Sequence, residues 1–383
     1  MGSAAVYQLA KRGCRVLGLD RFSPPHTYGS IHGDSRITRR AVVEGEAYIP
    51  LVLRSHELWR EIEQATGQSL LTITGGLIMS GPERTAAWHG ATGFLNNTIA
   101  LAQKYGIAHE LLSTAEIRRR FGSFILQGNE TGYFEPGAGF LRPERCVAAQ
   151  IALARQLGAA VQLNERVLEI TPAASGDVGS VRTVRGSYTA EQIIISAGAW
   201  LPEFLAPSYA RSFQIFRQVV SWFELPAEIA PYLPDNFPIY IWIFGDGPDD
   251  LIYGFPAIDG PHGGIKVGTE HYHDLTTAET SDRTVTTPEL EHIYHHAVAP
   301  HLRGIGPRAI KSVSCLYTVT PDHGFVIDRL PHFPNVIIAS PCSGHGFKHS
   351  AAVGEILAEL VTTGTSTIDI SSFQFARFKG ASP

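Results

Sequence analysis

The sequence predicts a mixed α/β fold in which an alternating α/β domain is interleaved with an antiparallel-sheet domain. Helix-like and strand-like segments alternate at the amino terminus and again within residues 144–200, as they do in an α/β layer. Residues 213–266 instead alternate apolar and polar side chains and are rich in aromatic residues, which is typical of an antiparallel sheet. The length of 383 residues leaves room for about two domains of roughly 150 residues each.

Composition narrows the class of protein. Hydrophobic residues make up 44% and charged residues 17%, which excludes wholesale disorder and indicates a compact globule. A net charge of -5 argues against a nucleic-acid partner or an anionic membrane, so we expect small-molecule partners. The sequence contains neither an apolar run of about 20 residues nor a signal peptide. The four cysteines form no C-x-x-C pair, which predicts a reducing, cytoplasmic setting without disulfides or a thiolate zinc site.

The amino-terminal segment resembles half of a nucleotide-binding unit. Residues 2–13 have small and apolar side chains at helical spacing, and residues 14–20 read as a buried strand that ends in an acid. Gly2 and Asp20 then match the last glycine of G-x-G-x-x-G and the acid, about 20 residues later, that binds a ribose. The first strand and the two earlier glycines do not precede Gly2, so we expect Met1 to lie inside the motif. An ordinary helix followed by a strand is the alternative.

The remaining elements follow from periodicity and turn residues. Helices are predicted at residues 47–67, 87–104, 144–157 and 351–360, and strands at residues 161–170, 188–200, 311–322 and 336–340. We predict that residues 1–70, 137–205 and 318–383 form the alternating domain and that residues 71–136 and 206–317 form the sheet domain.

Two segments place charged side chains beside glycines. The loop at residues 29–40 contains one histidine and three arginines, which suits an anion or an electron-rich ring; a solvated basic turn is the alternative. Residues 343–348 read S-G-H-G-F-K between a strand and a helix, where free backbone N–H groups stabilise negative charge. Lys348 is unfavourable for the helix dipole at that position, which indicates a ligand unless the side chain points to solvent.

Three fragments, in this order, identify a resemblance that covers essentially the whole chain. S-x-H-G-D-S-R-x-x-R (30–39), C-L-Y-T-x-T-P-D (315–322) and S-G-H-G-F-K (343–348) resemble the monomeric sarcosine oxidase and N-methyltryptophan oxidase family of FAD-dependent amine oxidases. The resemblance implies a Rossmann-like FAD-binding domain, truncated at its amino terminus. It also implies an oxidase that converts an N-methyl amino acid to an imine and reduces oxygen to hydrogen peroxide.

The same resemblance implies roles at the flavin. FAD is expected to be attached covalently through Cys315, which on its own reads as a small core hydrophobe. Arg36 and His32 are expected over the flavin ring, where a cation stabilises the reduced form. Lys266 is expected where oxygen is reduced; a lysine on a surface strand is the alternative.

The resemblance further implies a substrate site and a set of cofactor contacts. Arg39 and Lys348 are expected to bind the substrate carboxylate. Tyr253 and Tyr317 are expected beside the substrate. The residues expected to contact FAD are Gly2, Asp20, Ser30, Ser35, Arg36, Val167, Gly198, Trp200, Gly344, His345, Gly346, Phe347 and Lys348. The partners are then an amino acid and molecular oxygen, and the protein is expected to be a monomer.

The sequence departs from the family pattern near the expected active site. Four residues after Lys266 the family commonly has histidine, whereas this chain has Glu270 and places His271 one position later. Pro341 and Cys342 stand where the family has glycine and phenylalanine. The departures and the incomplete nucleotide motif leave two alternatives open. One is a bulkier or cyclic substrate, such as N-methyltryptophan or pipecolate. The other is a non-catalytic, truncated homologue that does not bind FAD.

Overall fold

The computed structural model describes residues 1–81, 86–173 and 178–378. The last five residues of the predicted alternating domain, 379–383, lie outside the described residues, as do 82–85 and 174–177. The α-helices of the described chain are α1 (Gly2–Lys11), α2 (Tyr48–Thr66), α3 (Phe94–Lys104), α4 (Thr114–Arg120), α5 (Pro143–Gln156), α6 (Pro207–Ala210), α7 (Thr287–His292) and α8 (Ser350–Thr362). No described helix is long and apolar enough to cross a membrane.

The alternating α/β part contains parallel strand pairs, so the predicted mixed α/β fold is confirmed. β1 (Leu17–Leu19) pairs in parallel with β8 (Ala160–Gln162). A second sheet joins β12 (Ile193–Ile195) in parallel to β20 (Phe333–Ser340), which continues antiparallel to β19 (Val326–Leu330). Helix α1 packs against helices α5 and α8 and contacts β1.

The two sheets leave strand edges open. β1 pairs only with β8, and β12 pairs only with β20, among the strands of the described chain. The side chains of β1 and β12 line the same internal cavity. The predicted strand at 161–170 is wrong as a single element, because left-handed Asn164 (φ 53°) separates β8 from the next strand, β9 (Val167–Thr171). β9 instead forms a small antiparallel sheet with β10 (Gly179–Thr183) and β11 (Ser187–Ala190).

The large sheet has nine strands and is antiparallel except at one pair. Its strands are β4 (Gly76–Ser80), β5 (Glu110–Ser113), β6 (Thr131–Glu135), β13 (Gln214–Phe223), β14 (Ile239–Ile243), β15 (Leu251–Gly254), β16 (Ile265–Thr269), β17 (Leu275–Thr276) and β18 (Ala309–Val319). β14 and β4 run parallel, whereas the pairs that β13, β14, β15 and β16 form with one another are antiparallel, as predicted for residues 213–266. A three-stranded sheet of β2 (Arg36–Thr38), β7 (Gly139–Leu141) and β3 (Leu71–Ile73) connects the two parts. The predicted domain boundaries stay a prediction.

The helix predicted at 87–104 is wrong over its first turns. Helix α3 begins only at Phe94, and the residues before it form a tight turn in which Trp88 and Ala91 exchange backbone hydrogen bonds of 2.9 and 3.0 Å. The two central residues, His89 (φ 51°) and Gly90 (φ 74°), are both left-handed, as a type I′ turn requires. The side chain of His89 therefore projects from the tip of a turn and not from a helix face.

Candidate active site

One internal cavity of about 1310 Å³ gathers nearly all the side chains that the sequence singled out. It extends from the start of α1 and the end of β1 to the face of the large sheet. The predicted residues that line it are Gly2, Asp20, Ser30, Ser35, Arg36, Arg39, Val167, Gly198, Trp200, Tyr253, Lys266, Cys315, Tyr317, Gly344, His345, Gly346, Phe347 and Lys348. His32 is the predicted residue that does not line this cavity.

The nucleotide end of the cavity offers donors and a carboxylate. Helix α1 begins at Gly2 without a side-chain cap, so the N–H groups of its first turn are available at the cavity. A Cβ on Gly2 would lie only 3.0 Å from Ser196 Oγ. The absence of a side chain at Gly2 therefore lets helix α1 approach the residue that follows β12 closely. Asp20 lies at the end of β1 and accepts a 2.8 Å hydrogen bond from the Phe22 N–H. Between the start of α1 and Asp20, the cavity wall consists of apolar side chains of β1 and β12. The N–H donors and the carboxylate therefore indicate the kind of ligand better than the volume of the cavity does.

The basic loop at residues 29–35 is held by Arg36. Its guanidinium donates to the carbonyl oxygens of Ser30 and His32 at 2.7 Å and to that of Ser35 at 2.8 Å. Ser30 Oγ donates at 2.5 Å to the carbonyl oxygen of Leu316 on β18. The solvated-turn alternative is wrong, because these bonds fix the loop against the large sheet and bury much of it.

His32 lies behind the cavity wall. Its side chain is buried, and neither ring nitrogen has a hydrogen-bond partner among the described residues. Burial, together with the charge of Arg36, lowers the pKa of His32 to about 4, so the imidazole is neutral at pH 7. A role for His32 at the flavin therefore stays a prediction that this geometry does not support.

Lys266 is a buried amine on β16. Its Nζ donates to the carbonyl oxygens of Gly33 and Ser35 at 2.6 and 2.9 Å and to Ser35 Oγ at 3.3 Å. The same atom lies 4.6 Å from the ring centre of Phe255 and 5.3 Å from that of Trp222. Burial and the nearby Arg36 charge lower the pKa of Lys266, while the three acceptors match the three N–H bonds of an ammonium. The alternative of a surface-strand lysine is wrong.

Cys315 and Tyr317 share one face of β18. Alternate residues of a strand point to the same side, and both side chains line the cavity. The Cys315 thiol is free and buried, and burial raises its pKa. Burial also raises the pKa of Tyr317 and of Tyr253, so both phenols keep their protons at neutral pH.

Five ionisable side chains meet at the other end of the cavity, and we call them the charged cluster: Arg39, Glu44, His89, Glu270 and Lys348. The Arg39 guanidinium donates to the carbonyl oxygen of Ala41 and lies 3.4 Å from Glu44 Oε2. Lys348 Nζ lies 3.5 Å from Glu44 Oε1. Burial alone would raise the pKa of Glu44, but Lys348 and Arg39 hold it well below its usual range.

Three members of the charged cluster were not predicted from the sequence as site residues: Glu44, His89 and Glu270. His89 Nδ1 lies 3.0 Å from Glu44 Oε1, and His89 Nε2 lies 2.8 Å from Glu270 Oε2. The Tyr272 hydroxyl donates to the other oxygen of Glu270. His89 fell inside a predicted helix, although the glycine that follows it was a signal for a turn. Glu270 was noticed only as a departure at a family position.

Comparisons with known proteins agree with the geometry. A family model described as FAD dependent oxidoreductase (DAO) matches residues 1–360. The chain is 40% identical over 384 residues to monomeric sarcosine oxidase of Streptomyces avermitilis, covering 100% of this chain and 96% of that protein. It is 33% identical over 389 residues to N-methyl-L-tryptophan oxidase of Yersinia pestis, covering 99% of this chain and 97% of that protein.

Solved structures show the same fold. NikD, described as an unusual amino acid oxidase essential for nikkomycin biosynthesis, matches with a TM-score of 0.83 at 24% identity, covering 97% of this chain and 94% of NikD. The L-proline dehydrogenase from P. horikoshii matches with a TM-score of 0.78 at 20% identity, covering 98% of this chain and 94% of that one. At these identities the likeness establishes the architecture alone.

Proposed function

The chain belongs to the family of FAD-dependent oxidoreductases, and we propose that it is an amine oxidase of N-methyl amino acids, with sarcosine as the leading substrate. The observation that carries the proposal is a single cavity that extends from the uncapped start of α1 and Asp20 to two cationic side chains, Arg39 and Lys348. Full-length relatives named for sarcosine and N-methyltryptophan oxidation support the same reaction.

The described residues fit FAD. The open N–H groups at the start of α1 suit a pyrophosphate, and the Asp20 carboxylate suits ribose hydroxyls. Arg36 and Lys266 place positive charge farther along the cavity, toward the charged cluster. FAD held there would supply an acceptor for a hydride from the substrate carbon, with oxygen as the final acceptor of the electrons.

The charged cluster is proposed to bind and orient the amino acid. Arg39 and Lys348 attract its carboxylate, and two fixed cations limit how the bound substrate can rotate. Tyr253 and Tyr317 line the cavity beside this position and, as neutral phenols, can donate or accept hydrogen bonds without adding charge. The oxidised product is an imine, which water hydrolyses to an aldehyde and an amine.

Two further roles are proposed for cavity side chains. Cys315 is proposed to carry the flavin covalently, because it is a free thiol on the cavity face of β18. Lys266 is proposed to stabilise the negative charge that oxygen gains as it is reduced, because a preorganised cation acts strongly where water is excluded. We also propose a cytoplasmic monomer, since similar proteins are named monomeric sarcosine oxidase and all four cysteines are free thiols.

The test is a direct assay of the purified protein. Its visible spectrum should show flavin, and hydrogen peroxide should appear with sarcosine but not with sarcosine amide at equal concentration. N-methyltryptophan, pipecolate and glycine, assayed in parallel, rank the substrate class. A flavin-containing protein that oxidises none of these amines would overturn the proposed function, and a protein that takes up no FAD would favour the non-catalytic alternative.

A further inference from the structure

The contacts of His89 determine its protonation state. Both ring nitrogens lie within hydrogen-bond distance of carboxylate oxygens, Glu44 Oε1 at 3.0 Å and Glu270 Oε2 at 2.8 Å. An ionised carboxylate only accepts hydrogen bonds, so both nitrogens must carry protons and the ring is an imidazolium. Burial lowers the pKa of His89, but Glu270 and Glu44 outweigh burial and raise it to about 9.

With His89 charged, the charged cluster has three positive and two negative groups. Its net charge is then +1, which complements one substrate carboxylate. The neighbouring His345 does not change this count. Its Nε2 donates at 3.0 Å to the carbonyl oxygen of His323, and burial lowers the pKa of His345, so that ring is neutral. Tyr272, on the far side of Glu270, is a neutral phenol because burial raises its pKa.

The turn that carries His89 holds its ring in place. Trp88 and Ala91 close the turn with two backbone hydrogen bonds, and the left-handed conformation of Gly90 completes it. A Cβ on Gly90 would lie 3.0 Å from the carbonyl oxygen of Asp322, so the turn is seated against the segment after β18. The ring therefore reaches the two carboxylates from a hydrogen-bonded turn that packs against a neighbouring segment.

We propose that His89 is a positioning residue of the substrate carboxylate site. Its positive charge neutralises Glu270 and part of the negative charge of Glu44, so that Arg39 and Lys348 remain available to the substrate. The proposal rests on the proposed function in one respect only, namely that the ligand of this site is a carboxylate. Without His89, two buried carboxylates would face two cations, and the net charge of the charged cluster would be zero. With Glu270 neutralised instead, the net charge would be +2.

The experiment measures the dissociation constant of acetate, a bare carboxylate, for the holoenzyme by calorimetry at pH 7. His89→Gln should weaken acetate binding about tenfold, and Glu270→Gln should tighten it about tenfold, since each removes one charge a few ångströms from the ligand. The double variant His89→Gln/Glu270→Gln regains a net charge of +1 and should bind acetate about as tightly as the unchanged protein. Acetamide, which has no charge, should show none of these differences.

A matched control separates charge from folding. His301 is another buried histidine, which packs against Trp242 and Phe244 away from the charged cluster, and His301→Gln should leave acetate binding unchanged. Melting temperatures of all variants test whether they fold. The proposal is overturned if His89→Gln binds acetate normally, or if the double variant is as weak as His89→Gln alone. Because acetate binding needs no turnover, this result is independent of whether the protein oxidises sarcosine.

Discussion

Lys266 Nζ donates a 2.6 Å hydrogen bond to the carbonyl oxygen of Gly33, which ties the large sheet to the loop that precedes β2. The bond joins residues that are far apart in sequence and places a buried amine between the loop and the aromatic rings of Phe255 and Trp222. This arrangement makes the proposed role of Lys266 testable. Lys311 also lies near the ring of Trp222, but its side chain is partly exposed, so it provides a control.

Lys266→Met should slow reoxidation by oxygen far more than anaerobic reduction by substrate. The variant keeps length and apolar bulk but deletes the charge that stabilises reduced oxygen. Stopped-flow traces of the two half-reactions measure the effect. Lys311→Met is the control, since Lys311 Nζ lies 4.5 Å from the ring centre of Trp222 on a partly exposed side chain. Reoxidation of Lys266→Met at the unchanged rate would assign this lysine to structure.

Cys315→Ala should abolish acid-stable flavin while the protein still folds. The side chain is small and buried, so alanine fits with little loss of packing, and the only thiol proposed to hold the flavin is removed. Acid precipitation followed by fluorescence of the denatured chain measures covalent flavin. Cys342→Ala is the matched control, because Cys342 also lines the cavity. Acid-stable flavin on Cys315→Ala but not on Cys342→Ala would move the attachment to Cys342.

Arg39→Gln should raise the Michaelis constant for amino acid substrates about ten- to hundredfold. A hydrogen bond to a charged group is worth roughly 1.5 to 3 kcal/mol, and glutamine cannot replace the charge. The ratio of kcat/KM for the acid and its amide should fall toward one. Arg40→Gln is the control, since the Arg40 guanidinium packs over Gly137. An unchanged acid-to-amide ratio in Arg39→Gln would place the carboxylate elsewhere.

Acetate inhibition should weaken as pH rises through about 8. Burial lowers the pKa of Lys348 to about 8, with partial compensation from Glu44, so its positive charge is present below that pH and lost above it. The inhibition constant of acetate, measured from pH 6.5 to 8.5, reports this loss without interference from a substrate amine. Lys348→Arg should bind acetate with little pH dependence over this range. A wild-type constant that stays level across the range would show that Lys348 does not bind the carboxylate.

The sequence by itself determined the features that depend on local steric and polar patterns. Helices α2 and α5 match the predicted spans within one residue at each end, because their apolar periodicity and flanking glycine or proline are local properties. The strand that contains Cys315 and the turn at residues 343–348 were also recognisable from their own residues. Most residues proposed for the cavity line it, although their individual roles are still predictions.

Only the tertiary structure decided how distant charges combine. Glu44, His89 and Glu270 lie on separate loops, and their pairing depends on the turn at His89, which periodicity had assigned to a helix. The parallel pairing of β4 with β14 also depends on which strands meet in the folded chain. The same is true of the separation of β1 and β8 from the sheet of β12, β20 and β19. Local patterns predict which segments are helical or extended, but a buried ion pair forms only where the packed chain brings two charges together and removes water from both.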